Sequence, residues 1–223
     1  MSKLYIVATP IGNLRDLTFR AREILESVDL IACEDTRHSA ILLNYYGIKK
    51  PVISFHSHSG VTKTDKIIEY LKNGKNVALI SDAGTPGISD PGYVLVQAAL
   101  KNGIAVIPMP GASAIITALC ASGLPTDKFL YLGFLPVKKG RQTLLKSLSD
   151  IPYTIVFYES PHRLMRTLSD LKQYLKPDTN IVVAKELTKI YETFSRGTLA
   201  DIIEKLPTGQ PKGEYVILLN SKF

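Results

Sequence analysis

Three short segments combine small, flexible and polar residues in a way that suits the binding of a polar ligand. The longest, SDAGTPGISDPG at residues 81–92, contains three glycines, two prolines and two aspartates directly after the apolar stretch VALI. Such a segment is long for a connection between a strand and a helix, and its glycines and prolines define a backbone path against which a ligand can lie. Asp82 could accept hydrogen bonds from a pair of hydroxyl groups, whereas Asp90 is expected to cap a helix that begins with Pro91.

The two other segments give weaker signals. TPIGN at residues 9–13 follows the apolar stretch LYIVA, and PGASA at residues 110–114 follows AVIP. TPIGN lacks the GxGxxG pattern, so a dinucleotide site is disfavoured, and a plain tight turn would explain this segment alone. PGASA is expected to open a helix, where free backbone N–H groups can bind a polar ligand, although close packing of a helix on a sheet would explain it equally well.

The elements that must position these segments alternate regularly in the first half of the chain. Apolar runs predict strands at residues 4–8, 30–33, 52–55, 77–80 and 105–108. Helical periodicity predicts helices at residues 18–28, 36–46, 62–73, 91–102 and 112–122. This alternation is typical of a mostly parallel sheet, so the three segments should meet at the carboxyl edge where such sheets bind ligands.

The pattern changes after Gly123, where LPTD interrupts it, and we place a domain boundary between residues 122 and 123. Strands are predicted at residues 129–135, 153–159, 180–186, 191–197 and 213–219, and helices at residues 139–149, 161–175 and 198–206. The third and fourth of these strands are too close for a crossover helix, so they should form a hairpin. The sequence therefore predicts an α/β protein with two domains, 1–122 with a mostly parallel sheet and 123–223 with a mixed sheet.

Composition excludes several classes of protein. With 45% hydrophobic residues among 223, the chain can form a core and is not disordered. Its two cysteines, Cys33 and Cys120, form no disulfide scaffold or metal-ligand motif, and we expect both to be reduced core residues of a cytoplasmic protein that needs no metal. No apolar run is long enough to span a membrane. The net charge of +7 favours an anionic partner, although a mildly basic surface is the blander explanation.

In their order and spacing, the three segments resemble those of the tetrapyrrole-methylase-like methyltransferases, which use S-adenosylmethionine (SAM). Five further motifs, CEDTRHS (33–39), SFHSH (54–58), FYESPHR (157–163), AKELTKIYET (184–193) and GEYVILL (213–219), are similar to those of one branch, ribosomal small subunit methyltransferase I. That resemblance implies 2′-O-methylation of the ribose of a cytidine in the decoding region of 16S ribosomal RNA. It also implies two α/β domains with SAM folded between them. Ala8 stands where this family commonly has glycine.

The resemblance carries over a set of cofactor contacts. It implies that SAM is bound by Pro10, Ile11, Asp82, Gly84, Thr85, Ile88, Ser113 and Ala114 of the first domain, and by Tyr158 and Gly213 of the second.

A positioned base can accelerate methylation of a ribose hydroxyl by ~10²–10⁴-fold. The candidates are Lys185, Glu186 and Glu159, ionisable residues at the ends of predicted strands, and a structural ion pair is an equally good explanation for each. Basic residues that could attract RNA are Arg37, Lys138, Lys139, Arg141, His162 and Arg163.

Two other functions remain open at this point. A methylase of a tetrapyrrole would have the same fold and another anionic substrate, but the motifs EDTRHS and YESPHR argue against it. A non-catalytic RNA-binding protein would have no use for the long glycine- and proline-rich segment. The resemblance further implies a homodimer that acts on 16S RNA within the small ribosomal subunit.

Overall fold

The computed structural model of the protein describes residues 2–56, 60–205 and 211–222. Its first sheet is built by five parallel strands in the order β3-β2-β4-β1-β5. The strands are β1 (Lys3–Val7), β2 (Leu30–Cys33), β3 (Val52–Ser54), β4 (Val77–Ile80) and β5 (Ala105–Met109). Every residue of β2 and β4 is buried, because helices cover both faces of the sheet.

Four helices connect these strands: α1 (Phe19–Ser27), α2 (Thr36–Tyr45), α3 (Gly60–Lys72) and α4 (Gly92–Lys101). Thr18 caps α1 and Asp35 caps α2, each accepting a hydrogen bond from a backbone N–H of the first turn. Leu25 of α1 and Leu42 of α2 belong to the core on one face of the sheet. Ile67 of α3 and Leu95 of α4 belong to the core on the other face.

This arrangement creates a switch point between two neighbouring strands. Strands β1 and β4 lie side by side, but β1 is followed by α1 on one face and β4 is followed by α4 on the other. The chain therefore diverges at their carboxyl ends and leaves a crevice there. In open α/β sheets this is where ligands bind.

The second sheet is mixed and has the order β6-β7-β10-β8-β9. Its strands are β6 (Phe129–Phe134), β7 (Thr154–Glu159), β8 (Asn180–Lys185), β9 (Thr193–Thr198) and β10 (Tyr215–Asn220). Strands β8 and β9 form the expected antiparallel hairpin, and β10 pairs antiparallel with both β7 and β8. The predicted fold class, a parallel sheet followed by a mixed one, is confirmed.

Helices α6 (Arg141–Ser147), α7 (Leu164–Lys172) and α8 (Leu199–Lys205) pack on one face of the second sheet. A further helix, α5 (Ala114–Cys120), contacts β7 and β10. The chain accordingly divides into two compact units, residues 1–113 and 114–223. The boundary at 122/123 was predicted from the breaker residues that come after α5. The division into compact units instead places α5 itself in the second unit.

Two sequence-based expectations about single residues can be compared with the structure. Cys33 is buried as expected, but the prediction that Cys120 is a core residue is wrong, because it lies on the exposed side of α5. Within the described ranges, 2–56, 60–205 and 211–222, no helix is long and apolar enough to cross a membrane.

Candidate functional site

Backbone hydrogen bonds join the loops that follow β1 and β4. The N–H of Thr9 donates to Gly84 O at 2.9 Å and the N–H of Gly84 donates to Thr9 O at 3.0 Å, which makes an antiparallel bridge at the end of a parallel sheet. The Thr9 hydroxyl also donates to Ser81 O at 3.0 Å. The two loops therefore form one fixed surface at the switch point.

The loop after β5 is joined to the same surface. The Thr85 hydroxyl donates to Ala112 O at 3.3 Å. Gly84 has φ +78°, a conformation that favours glycine, and a Cβ placed there would contact Ile11 Cγ2 at 3.5 Å. Gly111 opposes Ala8, and a Cβ at residue 111 would come within 2.9 Å of the Ala8 methyl. One methyl group, that of Ala8, fits between these strand ends, and a second one at residue 111 would clash with it.

Carboxylates give this edge a negative potential. Asp82 accepts a hydrogen bond from the N–H of Asp35 at 3.1 Å through one oxygen, and its other oxygen makes no hydrogen bond with the described part of the chain. Burial raises the pKa of nearby Glu34, and the charges of Asp82 and Asp90 raise it further. The edge is therefore suited to hydroxyl, amino or cationic groups of a ligand rather than to phosphates.

Asp90 shapes the long loop after β4. One of its carboxylate oxygens accepts from the N–H of Gly87 at 2.6 Å and from that of Gly92 at 2.8 Å. Burial raises the pKa of Asp90, and the two backbone donors oppose that shift. The expectation that Pro91 is the first helical residue is wrong by one position, because α4 begins at Gly92 and Pro91 precedes it.

A cavity of about 320 Å³ opens beside the two joined loops. Its walls come from the loop after β1, from α2 and from the end of β4, and its lining includes Pro10, His38, Ser39, Ile41 and Asp82. Sequence reasoning assigned no role to His38, Ser39 or Ile41. The motif CEDTRHS includes His38 and Ser39 and could have indicated them, but none of its residues was among the predicted cofactor contacts.

The structure brings most of the predicted cofactor residues of the first unit together. Pro10 and Ile11 are buried in the loop after β1, Gly84 and Thr85 contact the other two loops, and Ser113 follows Ala112 at the end of the unit. Ile88 is 48% exposed at the tip of the long loop. Ala114 is the first residue of α5.

Besides Ala114, two predicted cofactor residues belong to the second unit, and they lie at different places on its sheet. Tyr158, on β7, contacts the rings of Tyr131 and Phe134 with centroids 5.4 and 5.5 Å away. Burial raises the pKa of Tyr158, and Tyr131 adds to the shift. Gly213 precedes β10 with φ +97°, and a Cβ there would come within 2.7 Å of Glu186 Cγ.

Glu159, a candidate base, is part of a buried polar network. It is 2% exposed and accepts hydrogen bonds from the Arg163 side chain at 2.8 Å, the Thr167 hydroxyl at 2.5 Å and the N–H of Ser160 at 2.7 Å. With its oxygens engaged in this way, Glu159 is held by the fold, which argues against its assignment as the base. Arg163 also donates to Leu135 O, so its guanidinium is held by the protein and is poorly placed for RNA.

The same network extends to Arg141, which was expected to contact RNA. Arg141 is 6% exposed and donates to Asp170, to Pro136 O and to the Thr167 hydroxyl at 2.9, 3.0 and 2.9 Å. A guanidinium held in this way is poorly placed for an RNA phosphate, which argues against this assignment too. The sequence did not indicate the network because the side chains that it joins are 4 to 29 residues apart.

Glu186 and Lys185 differ in their surroundings. Glu186 has φ +51° and accepts from Lys189 Nζ at 3.0 Å and from the N–H of Glu214 at 2.9 Å. Burial would raise the pKa of Glu186, but these two donors outweigh it and leave the pKa lowered. The half-buried Lys185 side chain makes no hydrogen bond or ion pair with the residues that the structure describes.

The remaining RNA candidates are at the surface of their units. Lys138 and Lys139 are exposed just before α6, and His162 is exposed before α7. Arg37 is also exposed, although it pairs with Asp35 at 2.7 Å. That guanidinium, through its hydrogen bonds, holds the pKa of Asp35 far below its usual range. Part of the motif SFHSH, at residues 57–58, lies outside the described residues.

Fold and site together define the class of the protein: an α/β protein of two units with a ligand edge on its first sheet. Over 98% of this chain and 90% of the other, the fold matches a crystal structure of diphthine synthase with a TM-score of 0.76 at 15% identity. The chain belongs to the Tetrapyrrole (Corrin/Porphyrin) Methylases, whose family model matches residues 3–203.

Two curated relatives are much more similar in sequence. A protein of Haemophilus influenzae named "Ribosomal RNA small subunit methyltransferase I" is 50% identical over 98% of this chain and 78% of its own length. A protein of Synechocystis with the same name is 51% identical over 98% of this chain and 79% of its own.

Proposed function

We propose that this protein methylates the ribose 2′-hydroxyl of a cytidine in the decoding region of 16S ribosomal RNA, with SAM as the methyl donor. The observation that carries the proposal is the fixed surface made by the loops after β1, β4 and β5 at the switch point of the first sheet. The names of relatives at 50–51% identity support the choice of small-subunit ribosomal RNA as substrate.

The residues at this edge fit SAM. The small residues Ala83, Gly111 and Ala112 leave the backbone accessible. Gly84 has a positive φ, and a residue with a side chain would adopt this conformation only with a loss of stability. The free carboxylate oxygen of Asp82 suits the hydroxyl or amino groups of the cofactor, and Pro10, Ile11 and Ile88 offer apolar contacts. When bound, SAM supplies a methyl group activated by a positively charged sulfur.

The protein's own residues must then orient the ribose and take up its proton. The hydroxyl oxygen gains the methyl group while its O–H bond breaks, so an acceptor near that oxygen accelerates the step. Among the three candidate bases, Lys185 is the one whose side chain makes no hydrogen bond or ion pair in the described part of the chain, and we propose that its neutral amine, which has a free lone pair, is the acceptor. Glu159 and Glu186 are engaged in structural contacts, which argues against them.

RNA binding is proposed for Lys138, Lys139, His162 and Arg37. These exposed residues, the first two in a stretch without acidic residues, can approach phosphates, whereas the guanidinium groups of Arg141 and Arg163 are held by the protein. We also propose a cytoplasmic homodimer, supported by large apolar side chains on the surface such as Phe19, Ile190 and Tyr191, which are 89%, 90% and 71% exposed. Light scattering at micromolar concentration tests the dimer.

The central experiment is methyl transfer from labelled SAM to small ribosomal subunits that lack the modification. We expect one methyl group per 16S RNA, on the ribose of a cytidine, located by mass spectrometry of nuclease fragments. Free 16S RNA in a parallel reaction distinguishes which assembly state is the substrate. Label on a base, on a tetrapyrrole offered in competition, or nowhere at all would contradict the proposal.

A further inference from the structure

A buried hydroxyl group without a hydrogen-bond partner among the described residues lines the cavity beside the two joined loops. This cavity lies between the loop after β1, helix α2 and the end of β4. Ser39 lines the cavity, is 3% exposed, and its hydroxyl makes no hydrogen bond within the part of the chain that the structure describes. A buried hydroxyl without a partner is unfavourable by ~1–3 kcal/mol. Such a group is commonly explained by a role in binding or by an ordered water.

Two local partners could have satisfied this hydroxyl, and neither does so with regular geometry. Serine inside a helix often donates to the carbonyl four residues earlier, but here the carbonyl of Asp35 accepts the backbone N–H of Ser39 and the hydroxyl makes no hydrogen bond with the described residues. The Cys33 thiol is close enough for the hydroxyl to oppose the rise in its pKa that burial causes, yet a thiol is a weak partner. The Ser39 hydroxyl therefore stays available to a ligand in the cavity.

The other walls of the cavity have the composition of a pocket for a small planar ring. Apolar side chains, including Pro10, Leu14, Ile41, Leu42 and Ile80, supply its flat surfaces. Asp82 supplies a carboxylate with one oxygen free of described partners. A volume of about 320 Å³ lies at the lower end of ligand pockets, which suits one nucleobase with part of its sugar.

We propose that this cavity binds the cytosine base of the nucleotide whose ribose is methylated. The inference rests on the proposed function and names the part of the substrate that the first unit recognises. The amino group of cytosine donates to the free oxygen of Asp82, whose two lone pairs let it accept from SAM as well, and the ring nitrogen or carbonyl of cytosine accepts from Ser39. Uracil presents a carbonyl where cytosine has the amino group, so Asp82 would repel it. Enzymes that act on a nucleotide within folded RNA commonly hold the extruded base in such a pocket.

Two substitutions test the cavity, with a matched control. Ser39→Ala removes the hydroxyl, and Ile41→Trp fills the cavity from a side chain that is 59% exposed and therefore tolerates enlargement. Ser27→Ala is the control, because Ser27 is an exposed helical serine of the same unit whose hydroxyl donates to Ile24 O. The substrates are small subunits with cytidine or uridine at the methylated position.

We expect Ser39→Ala to lower kcat/KM on cytidine about three- to tenfold and Ile41→Trp to lower it at least tenfold, with SAM affinity unchanged in both. The wild type should prefer cytidine over uridine about tenfold or more, and both variants should lose most of that preference. The melting temperature of Ser39→Ala should stay the same or rise, because an unpaired buried hydroxyl is removed. A purely structural serine would instead give a lower melting temperature and unchanged kinetics.

Binding of free nucleotides separates this inference from the proposed function. Cytidine 5′-monophosphate should bind the wild type in the presence of demethylated SAM more tightly than uridine 5′-monophosphate does, and Ile41→Trp should abolish the difference. This measurement does not depend on methyl transfer. If RNA is methylated but the variants match the wild type, or if they lose SAM affinity in step with activity, the base is not bound in this cavity.

Discussion

The edges of the two sheets differ in whether their polar side chains have hydrogen-bond partners within the fold. At the first sheet, the loops are joined by backbone hydrogen bonds, whereas one oxygen of Asp82 and the hydroxyl of Ser39 make no hydrogen bond with the described residues. At the second sheet, the ionisable side chains pair within the fold. Glu159 pairs with Arg163 and accepts from Thr167, and Arg141 pairs with Asp170 and donates to Thr167. An ionisable residue at a strand end is therefore a candidate for chemistry only where the fold does not already supply its partners.

The cause of this difference is the position of the helices that follow the strands. Helix α7 starts five residues after Glu159, so Arg163 just before it and Thr167 within its first turn lie against the carboxylate. At the first sheet, the chain diverges after β1 and β4 toward opposite faces, and a cavity remains beside the ends of these strands.

The strongest test of this contrast is Lys185, the candidate base whose side chain makes no hydrogen bond or ion pair with the residues that the structure describes. Lys185→Met should lower kcat by ~10²-fold or more, because the proposed acceptor of the ribose proton is lost. Melting temperature and SAM affinity should stay near those of the wild type. Lys172→Met, at an exposed position of α7, is the control. An unchanged kcat would mean that the proton leaves by another route.

Arg141 tests the opposite case, a basic residue whose side chain is fully engaged in contacts within the protein. Arg141→Met should reduce the free energy of unfolding by ~3 kcal/mol, because Asp170 and Thr167 lose a buried partner. Urea unfolding measures the loss. Arg166→Met, which removes a 66% exposed side chain 4.0 Å from the same carboxylate, should cost less than ~1 kcal/mol. A stable Arg141→Met protein that no longer binds RNA would restore the RNA assignment.

A pair of glycines separates conformational strain from contact with the cofactor. Gly84→Ala and Gly47→Ala each place a side chain at positive φ, +78° and +68°, so each should lose ~1–2 kcal/mol of stability. Only Gly84→Ala should raise the Kd for SAM, by about tenfold, since a Cβ at Gly47 meets nothing within 4 Å. Calorimetry with SAM measures the difference, and equal affinities would remove Gly84 from the cofactor site.

The smallest effect concerns the contacts of Glu186. The pKa of this carboxyl is lowered from its ordinary value of 4.5 in the folded protein, so its stabilisation is present above about pH 4.5 and is lost as the pH falls through the lower, folded value. Lys189→Met should therefore reduce stability at pH 7 by less than ~1 kcal/mol, and its difference from the wild type should shrink toward pH 3. Thermal unfolding between pH 3 and pH 7 measures this, with Lys101→Met as the control. A difference that grows on acidification would contradict the assignment.

Elements dominated by backbone and apolar periodicity were predictable from the sequence. The strands at 30–33 and 77–80 are found at the predicted residues, because uninterrupted apolar runs must lie inside a sheet covered on both faces. The loops after β1, β4 and β5 meet as expected, since the carboxyl ends of parallel strands share one edge. Helix ends were less predictable. Helix α4 begins one residue later than predicted, because a single hydrogen bond determines where a helix starts.

Side-chain partners were not predictable, because they depend on which residues the fold brings together. Arg141 and Lys138 have the same charge and nearly the same place in the sequence, but one is buried against Asp170 and the other is exposed. Ser39 carried no signal of its own. Its importance arises from burial without a partner, which only the packing of α2 beside β4 makes visible.

The strand order of the second sheet has a consequence for synthesis of the chain. All five strands of the first sheet precede residue 110, so that unit can fold early while the ribosome is still extending the chain. The central strand of the second sheet, β10, is the last of its strands to be made, and it alone joins β7 to β8. Until residues 215–220 emerge, the pair β6-β7 and the hairpin β8-β9 each present an open strand edge, the kind of surface that pairs with other chains. The nascent protein is thus most exposed to misassembly just before its second unit closes.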